Sequence, residues 1–219
     1  GGGIEVFDGM TTIIASLIGG RFFAGTTGNT AGVNGGGIHT TGGDLAISGD
    51  GEIPSSILIQ NNTAIEEGGG LWINAGTTLT IIDAGGVIIS GNDAQGDAAP
   101  GAGGADVQGG GGIFNNGGTV TINDTTADDV FIIENDATGA TNGSGGGILS
   151  TDGTVNITGA LISGNTAIRA GGGIEVVDGT MNLNDVTLGG PSVFDGNAVG
   201  SSPGNGGGLH VTGSATTNI

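Results

Sequence analysis

Residues 171–179 read GGGIEVVDG, and residues 1–9 read GGGIEVFDG. A nine-residue phrase that returns with one letter changed marks the chain as a repeat, and the repeat has to be read first. The stub GGG followed by Ile or Leu also recurs between the two copies and beyond the second. Its aliphatic anchors are Ile4, Ile38, Leu71, Ile113, Ile148, Ile174 and Leu209, so units start near residues 1, 35, 68, 110, 145, 171 and 206. Periods of this size belong to solenoids and propellers.

Working outward from the stub, each unit contains three short apolar stretches separated by turn residues. The first follows the glycines, as in IEV, IHT, LWI, IFN, ILS and LHV. The second ends at Ile81, Ile122, Ile157 and Leu183. The third runs into an Asn, as in ILIQNNTA, VIISGNDA and ALISGNTA. Runs this short, β-branched and alternating are strands, and the glycines between them leave no room for a stable helix. Such a strand cannot bury a face alone, whereas stacking unit on unit at a spacing of ~4.8 Å does. The expected fold is therefore all-β: a right-handed parallel β-helix with three short strands per coil and six to seven coils. The alternation sends Ile4, Ile38, Leu71, Ile113, Ile148, Ile174 and Leu209 inward, together with Leu79/Ile81, Val120/Ile122, Val155/Ile157 and Met181/Leu183. Half of residues 1–20 recur at 171–190 without a gap, which implies a higher-order repeat of about 170 residues. The chain is thus expected to be one β-helix segment of a longer repeat protein.

Composition narrows the function classes. Two strong bases stand against 21 acids, for a net charge of −19. That charge repels phosphate backbones and anionic lipid surfaces, so nucleic-acid and membrane-surface binding are not expected. No apolar stretch reaches the roughly 18 residues of a membrane-spanning helix. The absence of Cys removes disulfides and thiolate metal sites. An acidic, Gly/Thr/Asn-rich repeat without Cys or Lys points to an extracellular or cell-surface product.

A repeated Asn occupies positions 29, 62, 92, 135, 165 and 197, at the corner after the third strand. Stacked Asn side chains hydrogen-bond their neighbours above and below, so Asn29, Asn62, Asn92, Asn135, Asn165 and Asn197 are read as a structural column. Here the residues resemble a known family. GGG[IL] paired with [IF]xxN is similar to the GGA[ILV] and FxxN repeats of polymorphic outer-membrane proteins and related autotransporter-type adhesins. The second motif is carried by Ile59–Asn62, Ile89–Asn92, Ile132–Asn135, Ile162–Asn165 and Phe194–Asn197. The first unit departs from it, with Thr26 three places before Asn29 and Phe22 and Phe23 upstream. The third Gly stands where the family has Ala. The resemblance implies a secreted, surface-displayed passenger and identifies no ligand.

Among candidate sites, the outward column of the first strand carries most information: Glu5, His39, Trp72, Phe114, Leu149, Glu175 and His210. Three large apolar residues on consecutive coils are either a satellite core under a loop or a contact surface for a neighbouring subunit, a partner or a glycan. The contact surface is the reading adopted here. Asp93, Asp97 and Asp106, in the loop at 92–108, are the calcium candidates, although neither the calcium β-roll nonapeptide nor the EF-hand spacing is present; no other cofactor is expected. The acids Asp124, Asp128, Asp129, Asp152 and Asp185 lack basic partners, and solvated turn residues explain them better than a catalytic centre does. The outward Thr-x-Thr pairs Thr78/Thr80 and Thr119/Thr121 drift to Thr-x-Asn at Thr154/Asn156 and Thr180/Asn182. They make an ice-binding face a further alternative. The expected function is a structural and adhesive extracellular segment that self-associates end to end or laterally and meets a glycan or cell-surface partner, without catalysis. A β-helix polysaccharide lyase or hydrolase is the alternative.

Overall fold

The computed structural model describes residues 1–14, 16–20, 27–48, 57–82, 86–96, 108–124, 130–139, 142–190, 196–200 and 204–219. Among these residues there is no helix, and every strand ladder is parallel. Most of the strands form four rows, one more than the three expected per coil, with each rung contributed by one sequence unit, and Gln108–Gly109 pairs with Gly143–Ser144 in a short separate ladder.

In the first row Ile4, Ile38, Leu71, Ile113, Ile148, Ile174 and Leu209 stand in register. In the second, Ile13, Ile47, Ile81, Ile122, Ile157 and Leu183 do the same. The third row aligns Ile18, Ile59, Ile89, Ile132, Ile162 and Leu188. The fourth consists of two-residue strands whose second residues are Ala31, Ala64, Ala94, Ala137, Ala167 and Val199. The first three rows join into one curled sheet, because three units run through a corner without breaking the strand, Thr180–Leu188 passing from the second row into the third. Ile113–Asn123 spans two rows and Ile148–Ser163 spans three, with register shifts at the corner near Asn115 and Asn116.

The inward aliphatic residues of the first three rows form one core running the length of the stack. Ile38, Ile59, Leu79, Ile89, Ile113, Ile132, Ile148 and Ile174 are wholly buried. Burial of each such side chain contributes about 1.5–3 kcal/mol relative to exposure. The fourth row carries Ala on five of its six rungs, where the strands close against the glycine stubs, and Val199 on the last.

Each glycine of the stub has its own reason. The first adopts a left-handed backbone, with φ of +59° at Gly145, where a side chain is strained. A Cβ on the second would strike the neighbouring rung's backbone, as at Gly111, 2.5 Å from the Gly146 carbonyl oxygen. On the third, at Gly112, a Cβ would lie 2.6 Å from the Gly147 carbonyl oxygen and 3.2 Å from the Asn135 amide.

Two units depart from the spacing expected of the third strand. In the first, Ile18 rather than a residue just before Asn29 takes the core position of Ile59; Phe22, Phe23 and Thr26 lie outside the described residues. In the sixth, Val186 and Leu188 pair with Ala160 and Ile162, and Phe194 lies outside the described residues. In both, extra chain separates the strand from its Asn, so the [IF]xxN spacing does not locate the strand.

Candidate functional site

The outer column of the first row stacks Glu5, His39, Trp72, Phe114, Leu149, Glu175 and His210 on successive rungs. The imidazole of His39 lies on the indole of Trp72 with ring centroids 4.5 Å apart, and the indole lies 6.3 Å from the ring of Phe114. The expectation that this ridge is a free contact surface is corrected by its burial. Trp72 is 8 %, Phe114 2 % and Leu149 0 % exposed, and Val177 packs against them.

The stub glycines explain the burial. A Cβ on Gly68 would stand 3.0 Å from that of Trp72, and one on Gly110 would stand 2.8 Å from that of Phe114. The chain arriving at each stub therefore passes over the outward side chain of the strand that follows. The indole N–H completes the cover by donating to Glu67 Oε2 at 3.2 Å. These rings are a satellite core.

Polar ends flank this apolar stretch. At one, His39 Nδ1 approaches Glu5 Oε1 at 3.5 Å, too long for a hydrogen bond. Burial pushes the His39 imidazole below its ordinary value of 6.5, partly opposed by Glu5. At the other, Glu175 is wholly buried and its Oε1 receives two partners, Arg169 Nη2 at 2.6 Å and His210 Nδ1 at 3.2 Å. Arg169 Nε donates to Ser144 Oγ at 2.9 Å, so one guanidinium ties three consecutive rungs through Ser144, its own unit and Glu175. Glu175 Oε2 has no hydrogen-bond partner. The sequence reading named Glu175 and His210 but missed Arg169 and Ser144. The signal was present: a lone arginine just ahead of the GGGIEV phrase, in so acidic a chain, had to be matched to a nearby acid.

The corner asparagines form a continuous amide ladder. Nδ2 donates to the Oδ1 of the next rung from Asn29 to Asn62 (3.0 Å), Asn62 to Asn92 (2.9 Å), Asn92 to Asn135 (2.9 Å), Asn135 to Asn165 (3.0 Å) and Asn165 to Asn197 (3.0 Å). The second N–H of each from Asn62 onward caps the third row, for example Asn135 Nδ2 to Ile89 O at 2.9 Å. A second ladder, not foreseen as one, runs over the outside of the second row from Asn218 to Asn182 (2.6 Å) and Asn182 to Asn156 (2.7 Å).

Of the calcium candidates, Asp93 lies on the fourth row beside Asp136 of the next rung and accepts from Thr138 Oγ1 at 2.6 Å. Asp97 and Asp106 lie outside the described residues. Among the described residues no three His, Cys, Asp or Glu side chains converge as a metal site would require. Burial pushes Asp136 above the usual carboxylate value, the Asp93 charge adds to this, and the Thr166 hydroxyl opposes it.

Among the described residues the remaining acids stand apart from one another. Asp124 is buried and accepts from the Val130 N–H at 3.1 Å. Asp152 caps Gly153 N at 2.7 Å, at the opposite end of the second row from Asp185. Asp128 and Asp129 lie outside the described residues. No family model, curated protein or solved structure matches the chain.

Proposed function

We propose that the chain is a segment of a right-handed parallel β-helix acting as a structural and adhesive element outside the cell, a stalk or filament lengthened by stacking further rungs. The observation that carries this reading is the amide ladder from Asn29 to Asn197. It holds the corners of six successive units in one register through a stack that repeats the same parallel pairing. Such a ladder is extended by any rung that presents another Asn, as in stacked cross-β assemblies.

The acidic, Gly/Thr/Asn-rich composition, with a net charge of −19, is in keeping with an extracellular setting. The resemblance of the GGG[IL] and [IF]xxN phrases to those of surface-displayed passengers adds to it.

The test is sedimentation combined with negative-stain imaging of the chain over a range of concentrations. Rods that lengthen with concentration, at about 4.8 Å per rung, are the expected result. A monodisperse particle of fixed length at high concentration would remove the stacking role.

A further inference from the structure

We infer that the outer face of the second row, from the Thr78 rung to the Thr216 rung, is a binding surface for an uncharged, polyhydroxylated glycan. This deepens the adhesive reading above and rests on it for the setting in which the glycan is met. The face has two principal columns. One aligns Thr78, Thr119, Thr154, Thr180 and Thr216; the other aligns Thr80, Thr121, Asn156, Asn182 and Asn218. All ten are at least partly exposed, and their inward neighbours Leu79, Val120, Val155 and Met181 are buried and hold the face rigid.

Charge selects the class of ligand. In a chain with 21 acids, these ten positions contain none. The carboxylates stand at the rim instead, with Asp44 ahead of Thr78 in the same column, Asp152 and Asp178 at the corner before the row and Asp185 after it. An anionic polymer or a second copy of this chain would bring like charges against that rim. A cationic partner would find its counter-ions around the face and none on it. A neutral polyol meets neither obstacle.

Hydrogen-bonding capacity points the same way. Asn182 spends one N–H and one lone-pair direction along the stack, which fixes its amide and leaves one donor and one acceptor direction facing outward. Each rung pairs a hydroxyl with a second hydroxyl or an amide about 6.6 Å away along the strand, and rungs repeat every ~4.8 Å. A polymer with hydroxyls on successive sugars can meet such an array at many points without the ordering cost that flexible side chains carry. The replacement of Thr by Asn in the second column from rung to rung argues against ice, which needs one unvarying lattice of hydroxyls and methyls.

The experiment is co-sedimentation of the full chain with insoluble neutral β-glucan, with polygalacturonate beads as the anionic control. Wild type is expected to bind the neutral glucan, with little change on adding salt, and to pass the anionic beads. Thr121→Asp and Asn182→Asp are each expected to lower retention at least tenfold without moving the thermal midpoint. Thr121→Ala, which cannot misfold for electrostatic reasons, is expected to weaken it several-fold. Absence of retention on neutral glucan, or retention indifferent to all three substitutions, overturns the assignment. So does concentration-dependent dimerisation lost in the same variants, which makes the face a lateral contact between copies, or thermal hysteresis in ice, which makes water the ligand. Rod formation is read separately by imaging, so a failed stalk reading and a failed glycan face give different results.

Discussion

Asn135 shows what one side chain does in this stack. Its two N–H groups reach Ile89 O and Asn165 Oδ1, and its Oδ1 receives both the backbone N–H and Nδ2 of Asn92. Asn135→Ala leaves two Asn92 donors and the Ile89 carbonyl of one rung without this partner in a buried corner, while Asn165 Oδ1 on the other side keeps the backbone N–H of residue 135, at a cost of about 3 kcal/mol. Asn135→Asp keeps the acceptor, loses both donors and buries a charge, so at neutral pH it is expected to cost more than Ala. Denaturant unfolding measures both, and a loss no larger than that of an exposed Asn would mean the ladder is not coupled to stability. Gly112→Ala is a companion test, since its Cβ must displace a carbonyl 2.6 Å away or push the Asn135 amide aside. The Asn column was legible because its spacing from the stub repeats. The need for a third Gly was not, because the clash involves an amide and a carbonyl from other rungs, which a linear string does not juxtapose.

At the scale of a strand, the outer column of the first row shows where sequence reading stopped. Alternation placed Trp72, Phe114 and Leu149 on the outward side, and they are there, but the outside of a strand is not the outside of the molecule. The left-handed turn at each first glycine carries the incoming chain over them, a tertiary effect that periodicity cannot express. Trp72→Ala is therefore expected to destabilise the chain by about 3 kcal/mol, read as a lower thermal midpoint, and to leave self-association per folded molecule unchanged. Lost association with an unchanged midpoint would restore the ridge as a contact surface. On the fourth row, Asp93 and Asp136 stack as like charges. Because the folded state holds a proton on Asp136 more tightly than the unfolded chain does, this group opposes folding at neutral pH. Its effect is relieved as pH falls through the raised folded value towards 3.8. Asp136→Asn keeps an acceptor for the Thr166 hydroxyl and is expected to stabilise by a few tenths of a kcal/mol at pH 7. A destabilised variant would show that the carboxylate is held for another purpose.

Over the whole molecule, the core is one aliphatic column, and Ile148 sits at its centre between Ile113 and Ile174. Ile148→Asp places an unpaired carboxylate there at several kcal/mol, and circular dichroism is expected to show loss of strand structure well beyond one unit. An unchanged melting profile would contradict the register. Acid acts from the other direction. His39 is held below 6.5 by burial, so the unfolded chain takes up the proton first as pH falls through that value, and stability is lost from there down to the folded value. His39→Gln is expected to flatten this slope, and an unaltered slope would place the acid sensitivity elsewhere. The parallel strand architecture was legible in the sequence as a whole, because a repeat states its own contacts. The Glu175–Arg169–His210 node was legible only in part, since it joins residues of different units. The inner amide ladder has one more consequence. Every inner Nδ2 points from one rung to the next in chain order, so the stack has a direction, as an arrow does. Its first rung offers an amide oxygen and its last an amide hydrogen. Two like ends brought together would present oxygen to oxygen or hydrogen to hydrogen, so growth by this ladder is vectorial, and any fibre it builds has a distinguishable front and back.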